Sequence, residues 1–473
     1  MLNVIQGCSG AHHTLRRARL EFGELTQLKL CDWQRPGHHT EKFGCYFISG
    51  AAYSRHAITV ANSLHGAFSL EILSTYTLRT LIALTAIASP LARAQEIKTV
   101  FVIAMENHNW TQPANQFTGG IQQIYLNPAA PFLNSLVSGT GYVIMGGKAV
   151  NISDQVAYAT NYHNVLATAT GNNAHIHPSE PNYIWAEAGT NFGIANDADP
   201  FPSNNQNTAA HLSSLLTNAH KTWRSYQEDT DLVSVNGTLT NVPLPENLWT
   251  VPLTSFAGVF TAGMNAFNGS AQYNYAAKHN PMVYFTDTNG GNDKTAANPL
   301  SKQYAPLQQL FTDLASDTVA DYSWITPNQF NDQHTALTAG YKGLTGDPAK
   351  IRQGDNFLNQ IVPVIMQSKA YKENGAIIIW WDESESDGIA GDNLDDLNHT
   401  IGEIVISKHA HKNENGVPYA SPVFYTHSSD LRTMQEIFHV RPFLGDATNA
   451  TDLSDLFQPG AIPHSDDDTR AGQ

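Results

Sequence analysis

Residues 99–105 read TVFVIAM and residues 376–381 read AIIIWW, and each apolar run stops abruptly at acid: Glu106-Asn107 after the first, Asp382-Glu383 after the second. Uninterrupted, β-branched-rich runs of this length are what strands buried on both faces of a parallel sheet look like. In open α/β sheets, ligands gather at the carboxyl ends of such strands. Two oxygen-rich clusters brought to one sheet edge from distant parts of the chain therefore suggest a divalent cation site. A cation beside a hydroxyl nucleophile is one way to break phosphate esters.

Outward from these runs, strand-like and helix-like segments alternate, the pattern of an α/β fold. Further strands are expected at 281–286, 322–325 and 401–407, and helices at 211–220, 300–316, 355–371 and 428–438. Asp355 follows Gly354 and reads as the cap of its helix, and Pro363 inside that helix should kink or split it.

The chain has 473 residues, 41% hydrophobic and 14% charged, with a formal net charge of −16. That is globular composition, and no basic patch marks nucleic acid as a partner. Residues 76–94 (YTLRTLIALTAIASPLARA) carry Arg79, a short apolar stretch and a small-residue end at Ala92-Arg93-Ala94, the layout of a secretory signal peptide. Residues 1–75 lack periodicity and read as a start assigned too early or a disordered extension; the alternative is a genuine N-terminal extension.

A catalytic domain is expected over 95–458 and a frayed tail over 459–473. Cys8, Cys31 and Cys45 all precede the proposed cleavage point, so the mature part would have neither thiol nor disulfide. Of the 26 basic and 42 acidic residues, 9 and 5 fall in 1–94, leaving a net charge of −20 for the rest. An acidic, exported (secreted or periplasmic) domain with little attraction to anionic membranes and no stable membrane anchor follows. The sequence leaves the oligomeric state open.

Four constellations can carry chemistry. Glu106-Asn107-His108 offers two oxygen ligands to a hard cation, or is a plain strand-to-loop transition. In HIHPSEPN (175–182), Pro178 and Pro181 bracket Ser179 and can hold its hydroxyl at a fixed angle, or form an ordinary proline turn. In TPNQFNDQH (326–334), Asp332 can orient His334 as a general acid, or the loop is merely polar. Asp382-Glu383 at the end of an uncharged strand repel each other unless a cation or proton lies between them. His427 stands before an expected helix start, where backbone N–H groups can help hold an anion.

These pieces resemble a known family. VIAMENHNW, HPSEPNYIW, WRSYQED, ITPNQFNDQH, GDNFL, IIIWWDE and YTHSSDLRT, in this order over 99–440, are similar to the phosphoesterase family of bacterial and fungal acid phosphatases and bacterial phospholipases C. HPSEPNY looks closer to the acid phosphatase branch. The resemblance implies an alkaline-phosphatase-like α/β/α sandwich with a central, mostly parallel sheet. It implies one divalent metal, of unspecified identity, held by Glu106, Asn107, Asp382 and Glu383, and a nucleophile, Ser179, that also touches the metal. It further implies histidines that bind phosphate and protonate the leaving group: His334, His427 and His163. Asn182 is expected to contact substrate; it is followed by Tyr183 where many relatives have Arg, so a basic phosphate contact there is not carried over.

The expected activity is hydrolysis of small phosphate monoesters through a phosphoserine. The rivals are a phospholipase C acting on head-group diesters and a catalytically silent secreted binding protein. The complete set of candidate groups speaks against the last.

Overall fold

The computed structural model describes residues 96–114, 121–164, 177–235, 238–241, 244–385, 399–413 and 415–464. The expected leader, cleavage point and three cysteines, and most of the expected tail, lie outside the described residues.

Eight strands form one sheet: β1 (Thr99–Met105), β2 (Val156–Ala159), β3 (Trp223–Gln227), β4 (Tyr304–Pro306), β5 (Tyr322–Thr326), β6 (Gly375–Trp381), β7 (Glu403–Ser407) and β8 (Tyr419–Ser421). Their order is β4-β3-β5-β1-β6-β7-β2-β8. Only β7 is reversed; every other neighbouring pair in the sheet is parallel. The mixed, mostly parallel α/β sheet matches the sequence expectation. β1 and β6 lie side by side at its centre, and β6 is buried along its whole length. This is why both runs lack any polar alternation.

The main helices are α1 (Pro131–Ser138), α2 (Glu180–Ala188), α3 (Leu212–Asn218), α4 (Leu307–Ser316), α5 (Gly346–Gln367) and α6 (His427–Ile437). They sort into two packed sets: α5 with α1 and α4, and α2 with α3 and α6. Among the described residues no helix is long and apolar enough to cross a membrane.

Several element expectations need correction. Residues 281–286 form a 3₁₀ turn, Pro281–Tyr284, rather than a strand. Its carbonyls are taken by side chains: Thr288 Oγ1 donates to Met282 O and Asn289 Nδ2 to Val283 O. The single helix expected over 300–316 is a 3₁₀ turn (Pro299–Gln303), then edge strand β4, with α4 starting only at Leu307 after Pro306. β7 starts at Glu403, two residues late; Gly402 just before it lies against Trp381, where a Cβ would be 2.3 Å from the indole. Helix α5 begins nine residues before Asp355 and passes through Pro363 unbroken. Asp355 caps a different helix. Its carboxylate accepts from the backbone N–H groups of Phe132 and Leu133 at the start of α1, where the N-cap residue, Ala130, has no side-chain acceptor.

Candidate active site

Strand register builds the site. Met105 of β1 pairs with Trp381 of β6, so Glu106 and Asp382 leave the sheet as neighbours. The turn is tied across: Asp382 N donates to Met105 O (3.2 Å) and Asn107 N to Asp382 Oδ1 (3.1 Å). Asn107 sits at φ +33°, in the left-handed region that Asn tolerates better than most residues. β5, on the other side of β1, delivers the third segment: Glu106 N donates to Asp332 O at 2.8 Å.

Ser179 is the N-cap of α2, with Pro181 in the first turn, and every residue of this helix is buried. The proline-flanked turn of the sequence is thus a helix start. Ser179 Oγ lies 3.0 Å from Glu106 Oε2, 3.1 Å from Glu383 Oε1 and 3.2 Å from Asn107 Oδ1. A hydroxyl has one proton to donate, so three acceptors around it leave a surplus of negative oxygen. Asn107 Nδ2 donates to Glu383 Oε1 (3.0 Å), and Asn182 Nδ2 to Glu383 Oε2 (3.4 Å). Glu106, Asp382 and Glu383 are at most 2% exposed, and among the described residues Asp382 Oδ2 has no hydrogen-bonded partner.

The electrostatics follow from this crowding. Burial, then the charges of Glu106 and Glu383, push Asp382 well above the ordinary carboxylate range. Burial also raises Glu383, against the opposing hydrogen bond and charge of His177, whose Nδ1 lies 2.6 Å from Glu383 Oε2. Burial would raise Glu106 too, but the charge and hydrogen bond of His279 outweigh it and bring Glu106 down to about 2. An all-oxygen donor set with one orphaned buried carboxylate oxygen suits a hard divalent cation. The residues that would hold it are Glu106, Asn107, Ser179, Asp382 and Glu383.

The other expected residues divide. Asp332 accepts from His334 N (2.8 Å) through Oδ1, and its Oδ2 lies 3.6 Å from His279 Nδ1. Burial and the nearby Glu106 charge raise Asp332 to about 7. His334 is partly exposed beside this cluster, its ring 6.3 Å from that of His279. Burial, opposed by the Glu106 charge but helped by His279 and Lys278, lowers His334 to about 4.

His427 sits behind the site. Its Nδ1 accepts from Trp380 Nε1 (3.0 Å) and so lacks a proton, which leaves Nε2 to donate to the Asp382 backbone carbonyl (2.5 Å). Burial drives it down to about 3. The anion seat expected at the start of α6 is filled by a capping box: Thr426 N donates to Ser429 Oγ, with the Thr426 side chain reciprocating. His163 stacks on Phe424, with Nε2 2.9 Å from Asn161 Oδ1; neither partner belongs to the Ser179 cluster.

Sequence reasoning passed over His279, His177 and the role of Tyr183. His279 Nε2 lies 2.9 Å from Glu106 Oε1, in a 3₁₀ turn whose only sequence signal is Lys-His before Asn-Pro. Tyr183 Oη donates to Glu106 Oε1 at 2.5 Å, and its ring stacks on His279. Tyr183 thus holds the Glu106 carboxylate in place.

The profile of the Phosphoesterase family matches residues 73–441, which contain every segment of this centre. The chain belongs to the Phosphoesterase family. This family member is 23% identical to the phosphate-repressible acid phosphatase of Penicillium chrysogenum over 44% of its own length and 39% of that protein. It is 28% identical to an acid phosphatase of Aspergillus fumigatus over 39% of its length and 34% of that protein. It thus spans well under half the length of these two curated relatives. A solved protein of the alkaline phosphatase superfamily from Vibrio parahaemolyticus is 10% identical, with a TM-score of 0.38, over 76% of this chain and 72% of that one.

Proposed function

We propose that this chain is an exported hydrolase of phosphate monoesters that works through Ser179, with one divalent cation held by Glu106, Asn107, Ser179, Asp382 and Glu383. The observation that carries the reading is the convergence of the Ser179 hydroxyl with three acceptor oxygens from two adjacent strand ends, all within 3.2 Å. Nucleophile and charge-stabilising groups occupy one place, as phosphoryl transfer requires. A bound cation would offset the carboxylate charge and lower the pKa of the Ser179 hydroxyl.

The chain's own residues supply the rest. Helix α2 fixes Ser179 at its first turn, so Oγ passes its proton to Glu383 Oε1, 3.1 Å away, and forms the bond to phosphorus as the ester P–O bond breaks. His334 is partly exposed, and its ring takes up the proton it can donate only as pH falls toward about 4, so it protonates the departing oxygen in acid. Water then cleaves the phosphoserine. His427, with Nδ1 accepting and Nε2 donating, holds the Asp382 main chain. Tyr183 and His279 hold Glu106.

Ser179→Ala decides the matter. Hydrolysis of 4-nitrophenyl phosphate by the metal-loaded chain should fall to background; near-normal turnover refutes the nucleophile. Export is tested by mass spectrometry of protein from the culture medium or periplasm: a mature chain starting at Gln95 is expected, and one starting far upstream refutes the leader.

A further inference from the structure

We propose that Lys278 reads substrate charge: its ammonium, held beside the Ser179 centre, binds the second negative charge of a phosphate monoester and so favours dianionic monoesters over monoanionic diesters and sulfate esters. This rests on the phosphoesterase reading of that centre.

Lys278 is tied to the nucleophile from two sides. Its Nζ lies 2.5 Å from Asp197 Oδ2, and the other oxygen of the same carboxylate accepts from the backbone N–H of Glu180 at 3.1 Å. Glu180 is the residue after Ser179. On the other side, Lys278 directly precedes His279, whose Nε2 lies 2.9 Å from Glu106 Oε1. The side chain is 13% exposed, so it is anchored yet reachable. An ammonium has three N–H donors, and Asp197 takes one.

The charge balance gives these donors a use. His279 is hemmed in by Glu106 and Asp332. His427 has both ring nitrogens engaged, by Trp380 Nε1 and the Asp382 carbonyl, and His334 Nδ1 lies 2.9 Å from Thr335 Oγ1. Lys278 keeps its charge: burial works against it, but the charges of Glu106, Asp197 and Asp382 more than compensate. A divalent cation shared among three carboxylates leaves little positive charge for a dianion. Lys278 supplies a further unit, linked through the Asp197 carboxylate to the residue that follows Ser179, and a monoanionic ester needs it less.

The test compares wild type, Lys278→Met and Lys278→Arg, as metal-loaded full chains at pH 8, on 4-nitrophenyl phosphate, bis(4-nitrophenyl) phosphate and 4-nitrophenyl sulfate. At this pH the monoester is a dianion and the other two are monoanions. Lys278→Met should lower kcat/KM on the monoester by about 10- to 100-fold, the scale of one charged hydrogen bond. Any diester or sulfatase activity should change less than about 3-fold. Lys278→Arg should keep part of the monoester rate, and circular dichroism should show all three folded. Equal losses on all esters, or none on the monoester, overturn the assignment. Calorimetric titration with inorganic phosphate separates this from the parent reading. If wild type cleaves no phosphate ester, the hydrolase reading falls. Weaker phosphate binding by Lys278→Met then still supports the charge-reading role, and unchanged binding overturns it.

Discussion

Replacing His427 distinguishes a positioning role from an acid–base one. Its ring fills a fully buried place between Trp380 Nε1–H and the Asp382 carbonyl, 3.0 and 2.5 Å away. His427→Ala removes a partner from the Asp382 carbonyl and from Trp380 Nε1–H, and a neighbour from Tyr162 Oη, 2.8 Å from Nδ1, so about 2–6 kcal/mol of stability should be lost. The pH dependence is more specific. In the fold its pKa drops from the usual 6.5 to about 3 because burial disfavours the charged ring. The unfolded chain therefore takes up a proton below 6.5 that the folded one refuses. Its contribution to stability is whole above pH 6.5 and declines as pH falls toward 3, by about 1.4 kcal/mol per unit. Urea unfolding of chelator-treated protein at pH 8 and pH 5 measures this. Wild type should lose roughly 2 kcal/mol more than His427→Gln between the two values. The acid limb of kcat/KM for the Gln variant should stay where it is in wild type. A variant with wild-type acid sensitivity, or one whose acid limb disappears, would refute the positioning role.

The remaining predictions concern the cation, the leaving group and two holding residues. Asp382 and Glu383 are raised mainly by burial, so their ionisation opposes folding once pH climbs above the ordinary carboxylate range, and a bound cation relieves that strain. Chelation should therefore lower Tm more at pH 7.5 than at pH 5 in a calorimetric scan. His334→Asn should slow alkyl phosphates more than aryl phosphates, because only the poor leaving group needs the proton; equal slowing would remove His334 as the acid. Tyr183→Phe deletes a hydrogen bond to the Glu106 carboxylate, worth roughly 1.5–3 kcal/mol, and metal titration should show weaker binding with the fold intact. Asp355→Ala should destabilise by roughly 0.5–2 kcal/mol through loss of the α1 cap, with kcat unchanged.

What could be read from the sequence was what lies along single strands. TVFVIAM and GAIIIWW announce their burial by composition, and their acidic ends announce a site. Nothing in the letters says that Met105 and Trp381 sit in register; sheet order decides that, and with it whether Glu106 meets Asp382. Residues whose roles depend on another element were harder. Asp355 looks like its own helix's cap, yet its oxygens serve α1, more than 200 residues away. His279 sits in a 3₁₀ turn that has neither the period of a strand nor that of a helix. His427 has the position of a phosphate ligand by motif, but a donor–acceptor pair no sequence displays turns it toward the main chain. The legible part is thus the acidic edge, and the illegible part is the set of groups that hold that edge still. Because strands fix the first and isolated side chains the second, substitutions at His427, Tyr183 or Asp355 should be separable from those at Ser179 or Asp382. The former should act on stability or cation affinity with residual chemistry, the latter on turnover itself, and a stability-neutral loss of all activity at His427 would break that division.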